Sequence, residues 1–261
     1  MTDLKTMARG IAATNATDDL SRELRRRKIL VVVDTQADFV MRYGLLAIAG
    51  AESIIVPGLG LLSNLASDEY AAVLFTYDTH TRREYLGSIE HLGQPDKGIP
   101  GFRLHCEKGT PGWENVFNAR LVPSAIPVFE LEKTVFDAWE KPSDQTLVYQ
   151  TNAQRERLTG SGMPRDDFFD RLQAMGVDTA TVVGVASDYC VKDQIRGLLA
   201  RDLKVEVIEE VTAGIGMTMI ETIAREFPGQ VELVPANVPD APPEPAKSDG
   251  NGAIAAKGDE G

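Results

Sequence analysis

The chain has 261 residues, 27 of them basic and 39 acidic, for a formal net charge of −12. That length fits one α/β domain with extensions, or at most two small domains, and a hydrophobic fraction of 43% argues for a sizeable core and against wholesale disorder. The acidic excess repels phosphate and weighs against nonspecific partnership with nucleic acid or an anionic membrane.

Residues 1–20 show no strong period and no continuous apolar stretch of the kind that directs export, so a loose arm is expected there. The following SRELRRRK, 21–28, reads as a short helix with a solvated basic face. ILVVVD at 29–34 is a nearly unbroken β-branched run, the pattern of a strand covered on both faces. Similar runs at 71–78, 127–133, 179–186, 204–210 and 230–235 predict five further strands. Helical spacing at 53–66, 165–175, 188–201 and 218–227 places helices between them. The pattern predicts an α/β fold, a three-layer αβα sandwich around a six-stranded, mainly parallel sheet of Rossmann-like type. The connection at 79–118 accumulates Gly and Pro and carries all three histidines, which marks it as a functional segment. Residues 236–261 lack aromatics and are rich in Pro, Ala, Gly, Asp and Lys, so they are expected to stay disordered. The expected organisation is an N-terminal extension at 1–28, a domain at 29–235 and a tail at 236–261.

Ligands of open parallel sheets bind beyond the carboxyl ends of the strands. There the sequence sets Asp34 after the first strand, Asp78 and His80 after the second, Lys133 after the third, and Cys190 shortly after the fourth. Cys190 lies near the start of a predicted helix, whose dipole, with Lys133, is expected to lower the thiol pKa and favour a thiolate. Asp34 could then carry the thiol proton to a leaving group. On the residues alone, a buried structural cysteine and a loop-holding aspartate remain open alternatives. Asp78, His80 and His105 offer carboxylate and imidazole donors suited to Zn, Fe or Mn, whereas His91 sits in a segment with exposed character. The two cysteines, Cys106 and Cys190, form no CxxC pair, and a reduced, cytoplasmic setting is expected.

These anchors occur in the order found in the isochorismatase-like cysteine hydrolases, and the chain resembles their nicotinamidase branch. DTQADF at 34–39 matches a DxQxDF pattern, DTH at 78–80 a DxH element, and GTPG at 109–112 is intact. FRLHC at 102–106, KTVFDAW at 133–139 and GVASDYCV at 184–191 resemble the second metal-histidine, lysine and nucleophile segments. The resemblance implies a thioester amidohydrolase acting on nicotinamide, with Cys190 as nucleophile, Asp34 as general acid/base and Lys133 supporting charge. It further implies a cis peptide at Val185-Ala186, an oxyanion hole from the amides of Ala186 and Cys190, and a ring wall of Phe39, Phe102, Phe136 and Trp139. One divalent ion is implied on Asp78, His80 and His105, with zinc first and iron or manganese as alternatives. The chain departs from the family in lacking a further histidine soon after DxH, so water or another group must complete that shell. Phe102 replaces a tryptophan, and Arg103-Leu104 a proline-containing pair. Another aromatic or carbamoyl-type amide, or a noncatalytic interaction protein on this fold, are the alternatives. A small aromatic amide is the expected partner, with self-association open.

Overall fold

Branched side chains lose little freedom in extended backbone and pack well on a pleated surface, and the run after Arg27 accordingly forms β1 (Lys28–Val33). The computed structural model describes residues 27–236 except Ala153 and Arg155. The arm expected at 1–20, the first six residues of the helix expected at 21–28, and the tail beyond Ala236 lie outside the described residues. Lys28 itself is strand rather than helix, because it pairs with Tyr70 on one side and Thr179 on the other.

Five more strands fall where the apolar runs predict them: β2 (Tyr70–Asp78), β3 (Val128–Lys133), β6 (Thr179–Val185), β7 (Lys204–Ala213) and β8 (Val231–Leu233). With β1 they form parallel ladders. The sheet is wider than the expected six strands. β4 (Leu147–Gln150) and β5 (Met163–Pro164) add antiparallel edge strands and give the order β5-β4-β3-β2-β1-β6-β7-β8. Four and two residues are too few to display a legible period.

Helices α1 (Ala37–Val40) and α2 (Ile55–Ser63) cover one face of the sheet. The short α3 (Arg82–Tyr85) and α4 (Ile89–Leu92) follow β2. Helices α5 (Arg165–Ala174), α6 (Cys190–Leu199) and α7 (Met219–Glu226) cover the other face. Alternation along β1 divides its side chains between the two cores. Ile29, Val31 and Val33 join the α5–α7 side, and Leu30 and Val32 the α1–α2 side. All five are buried, each worth about 1.5–3 kcal/mol of transfer free energy. A reciprocal capping box between Thr218 and Glu221 starts α7. Among the described residues no helix is long and apolar enough to cross a membrane.

Register decides what meets at the carboxyl rim. Val33 pairs with Thr76 on β2 and Gly184 on β6, and Asp78 pairs with Lys133. Gly184 has φ +119°, and a Cβ there would lie 2.1 Å from the Val33 carbonyl oxygen, so only glycine permits this approach. Successive strands run β1, β2, β3 in one direction from the centre, with β6 on the opposite side of β1. The reversal opens its crevice between the ends of β1 and β6, where Asp34 and Cys190 lie.

Candidate active site

Asp34 leaves β1 with φ +47°, turning its carboxylate along the rim. Lys133 ends β3, and Cys190 opens α6 after a turn in which the Ala186 carbonyl accepts from the amides of Tyr189 and Val191. The Val185-Ala186 peptide is cis. Lys133 Nζ lies 2.8 Å from Asp34 Oδ2 and 3.6 Å from Asp78 Oδ1, and it donates to Cys190 Sγ at 3.5 Å. Thr76 Oγ1 donates to Asp34 Oδ1 at 2.6 Å. Gln36 explains the middle of the DxQ segment: its amide donates to the carbonyls of Asp78 and Trp113, at 2.8 and 3.0 Å, while its oxygen accepts from the Asp78 amide at 2.8 Å.

The electrostatic balance differs from the expected thiolate. Burial pushes the Cys190 thiol well up; Lys133 opposes this, but Asp34 and Asp78 push it further and Asp34 hydrogen-bonds the protonated sulfur. One lysine faces two carboxylates, so a third anion is disfavoured and the thiol keeps its proton. For Lys133, burial favours the neutral amine, but Asp34 and Asp78 outweigh it and raise the pKa well above the usual value. Asp78 is likewise opposed by burial, yet Lys133 and then His80 hold its carboxyl well below the usual range.

Beside this triad, Asp78, His80 and His105 converge as the sequence predicts, joined by Glu90, which sequence reasoning passes over. One donor atom from each of the four lies within 4.8 Å of the others, and all four residues are buried. Asp78 Oδ2 is 3.1 Å from His80 Nε2 and 3.0 Å from His105 Nε2, and Glu90 Oε2 is 3.0 Å from His80 Nε2. His105 Nδ1 lies 2.8 Å from the Arg103 carbonyl oxygen; donation to that oxygen leaves the Nε2 lone pair directed at the cluster. Glu90 arrives on α4, whose first turn is capped by Ser88 accepting from the His91 amide at 3.2 Å. The only hint of it in the sequence is an acid inside the histidine-bearing connection.

His91 stands apart, its Nδ1 accepting from the Gly87 amide at 3.1 Å. Burial lowers the His80 pKa, but Asp78 and then Glu90 outweigh it and hold the ring at about 9. Neither Glu90 oxygen nor Asp78 Oδ1 has a hydrogen-bond donor in good geometry. Buried carboxylate oxygens left without donors next to two imidazoles are a donor set that a divalent transition metal satisfies.

A small cleft opens over the sulfur, lined by Phe39, Phe102, Phe136, Tyr189, Ala186 and Cys190 together with aliphatic side chains. Phe102, Phe136 and Tyr189 stand with ring centroids 5.6–5.9 Å apart. Three of the four aromatics predicted for the ring wall therefore line the cleft, but Trp139 does not. Asp137 Oδ1 accepts from the Trp139 amide at 2.8 Å, and the indole packs 5.2 Å from Phe169, beneath the Arg165 guanidinium and against Gly197. Tyr189 takes a place in the wall instead. Tyr85 and Trp113 anchor loops: the tyrosine hydroxyl donates to the carbonyls of Phe102 and Arg103, and the indole N–H to Thr79 Oγ1. Tyr43 is exposed. Asp38 links the cleft to the cluster of Asp78, His80, Glu90 and His105, accepting from the amides of Leu45 at 3.0 Å and Cys106 at 2.7 Å.

Comparison with known proteins places this geometry in a family. A Mycobacterium tuberculosis nicotinamidase/pyrazinamidase is 27% identical over 209 residues, 79% of this chain and 98% of that protein. The crystal structure of a Pyrococcus horikoshii pyrazinamidase in complex with zinc shares the fold with a TM-score of 0.52 and 21% identity, covering 80% of this chain and 99% of that one. An isochorismatase family protein from Desulfovibrio vulgaris superposes with a TM-score of 0.56 and 23% identity, covering 81% and 95%. The isochorismatase domain family model matches residues 28–227, so the chain belongs to the isochorismatase family.

Proposed function

We propose that the protein is a nicotinamidase, a cysteine amidohydrolase that converts nicotinamide to nicotinate and ammonia. The observation that carries this reading is the contact of Asp34, Lys133 and Cys190 at the base of a small aromatic cleft, with the four-residue metal cluster alongside. The name of the Mycobacterium tuberculosis relative supports it. Among the described residues the cleft lining is largely aromatic and aliphatic, with the Lys133 ammonium buried behind Cys190 and not among the lining side chains. That favours a neutral aromatic amide over a carbamoyl acid, whose carboxylate would need a partner there.

In this mechanism Cys190 Sγ attacks the carboxamide carbon as its proton passes to Asp34, so no standing thiolate is required. Lys133 stabilises the pair of anions as charge redistributes. The backbone N–H groups of Ala186 and Cys190 face the oxyanion, each such donor being worth about 3–4 kcal/mol in comparable sites. Asp34 returns the proton to nitrogen, the C–N bond breaks and ammonia leaves. Water then attacks the thioester, giving its proton to Asp34; the C–S bond breaks, nicotinate is released and the thiol is reprotonated. Phe39, Phe102, Phe136 and Tyr189 hold the ring. Asp78, His80, His105 and Glu90 would hold the divalent ion, zinc first, whose bound charge would orient and polarise the pyridine.

Ammonia release measured across nicotinamide, pyrazinamide and aliphatic amides tests the substrate: turnover of the two aromatic amides is expected, and activity confined to nonaromatic amides overturns it. For the metal, His80→Ala and His105→Ala are expected to lose both the bound ion and activity. Glu90→Gln, which replaces a charged ligand by a neutral amide, is expected to weaken metal affinity by about 10-fold or more, at least the scale on which even non-ligating supporting groups act. Elemental analysis alongside turnover checks both, and full activity in a demonstrably metal-free preparation would refute the assignment.

A further inference from the structure

Thr76 is buried in β2, opposite Val33 in the parallel ladder, and its hydroxyl meets Asp34 twice. It accepts from the Asp34 amide at 3.2 Å and donates to Asp34 Oδ1 at 2.6 Å. The direction of the second bond is set by elementary counting. The hydroxyl has one proton to give, and of its two partners only the carboxylate oxygen can accept it, since the amide can only donate. Oδ1 is therefore held by a donor fixed on a central strand, while Oδ2 faces Lys133 Nζ at 2.8 Å. The ladder does not orient this carboxylate by itself, because Asp34 has already left the strand with φ +47° and the terminal torsion of an aspartate is soft.

We propose that Thr76 is a positioning residue for Asp34, keeping Oδ2, the oxygen that faces Lys133, as the one that takes up and returns the proton exchanged with Cys190. The inference rests on the amidohydrolase reading above. As the thiol S–H bond breaks, an O–H bond forms at Oδ2 and the sulfur electron pair forms the S–C bond; the same proton leaves Oδ2 for the amide nitrogen. A proton on Oδ1 would oblige the Thr76 hydroxyl proton to turn away from the oxygen it is donated to, which disfavours that alternative while Thr76 is present. Without the hydroxyl the two oxygens become interchangeable, and the carboxylate spends less of its time in the orientation that serves proton transfer.

Thr76→Val keeps the shape and removes the hydroxyl, Thr76→Ala removes it without adding a methyl beside the carboxylate, and Thr76→Ser keeps it while losing the methyl. The valine and alanine variants are expected to lower kcat by about 10- to 100-fold with KM within about threefold and metal content unchanged, and the serine variant to recover to within about threefold of the parent. A readout independent of amide hydrolysis is carbamidomethylation of Cys190 by iodoacetamide, followed by mass spectrometry. It is expected to slow by about tenfold in the valine and alanine variants and not in the serine variant. Parental kcat and alkylation rates in the hydroxyl-free variants would overturn the proposal. So would a serine variant as impaired as valine, which would assign the loss to methyl packing. If the parent protein turns over no amide, the amidohydrolase reading fails while the alkylation rates still decide the role of Thr76.

Discussion

Cys190→Ala is expected to lower kcat by about 10⁴-fold or more, because it removes the proposed nucleophile, on which every covalent step of that mechanism depends. Its effect on stability should be about 1 kcal/mol or less, since only the sulfur is lost and the Lys133 contacts with Asp34 and Asp78 persist. Ammonia release and urea unfolding of the purified variant check the two halves separately. Intact-mass analysis of acid-quenched parent protein should find the acyl group on Cys190. Substantial turnover by the variant would rule out covalent cysteine catalysis and favour a noncatalytic role for the thiol.

Lys133→Met should injure both activity and folding. The ammonium is buried with two carboxylates, and a methionine of similar length leaves Asp34 and Asp78 without their cation. Breaking a buried pair in this way costs about 3–5 kcal/mol, and the loss of preorganised charge at the reacting atoms should lower kcat by about 10²- to 10³-fold or more. The sign of the pH dependence follows from Asp78. Its folded pKa lies below the unfolded value because Lys133 and His80 outweigh burial, so it contributes stability above the unfolded pKa that is lost as pH falls through the folded one. Removing Lys133 raises the folded pKa towards or beyond the unfolded value. The stability gap between parent and variant should therefore be widest near neutrality and narrow on acidification. Urea unfolding from pH 7 down to about pH 2, through the window below the ordinary aspartate value of 3.8, measures it, and a gap that widens with acid would contradict the account.

The readily legible parts of the molecule are those governed by local pattern. The run at 29–34 declares a doubly covered strand because β-branched residues with no polar alternation suit little else, and the other parallel strands follow the same logic. Asp34, Asp78, Lys133 and Cys190 stand out because each ends or follows such a run, where a polar group signals the rim. Features set by tertiary placement are less legible. Glu90 is an ordinary acid on a one-turn helix until the connection folds it against His80. The direction of the Cys190 shift depends on burial and on the ratio of carboxylates to ammonium, neither of which a helix start reveals. Trp139 is named by its motif, but its direction is set by the Asp137 turn and the notch at Gly197.

The Asp38 bridge carries a consequence for a residue remote from the chemistry. The same carboxylate steadies the turn that supplies Leu46 to the cleft and the segment that supplies His105 to the cluster with Asp78, His80 and Glu90. Gly112 presses directly on it, since a Cβ at that position would lie 2.3 Å from Asp38 Oδ1. The last glycine of the GTPG loop thus acts as a volume limit on the cleft and the four-residue cluster at once. If the proposed function holds, any side chain there is expected to shift ring binding and metal affinity together, through one steric constraint.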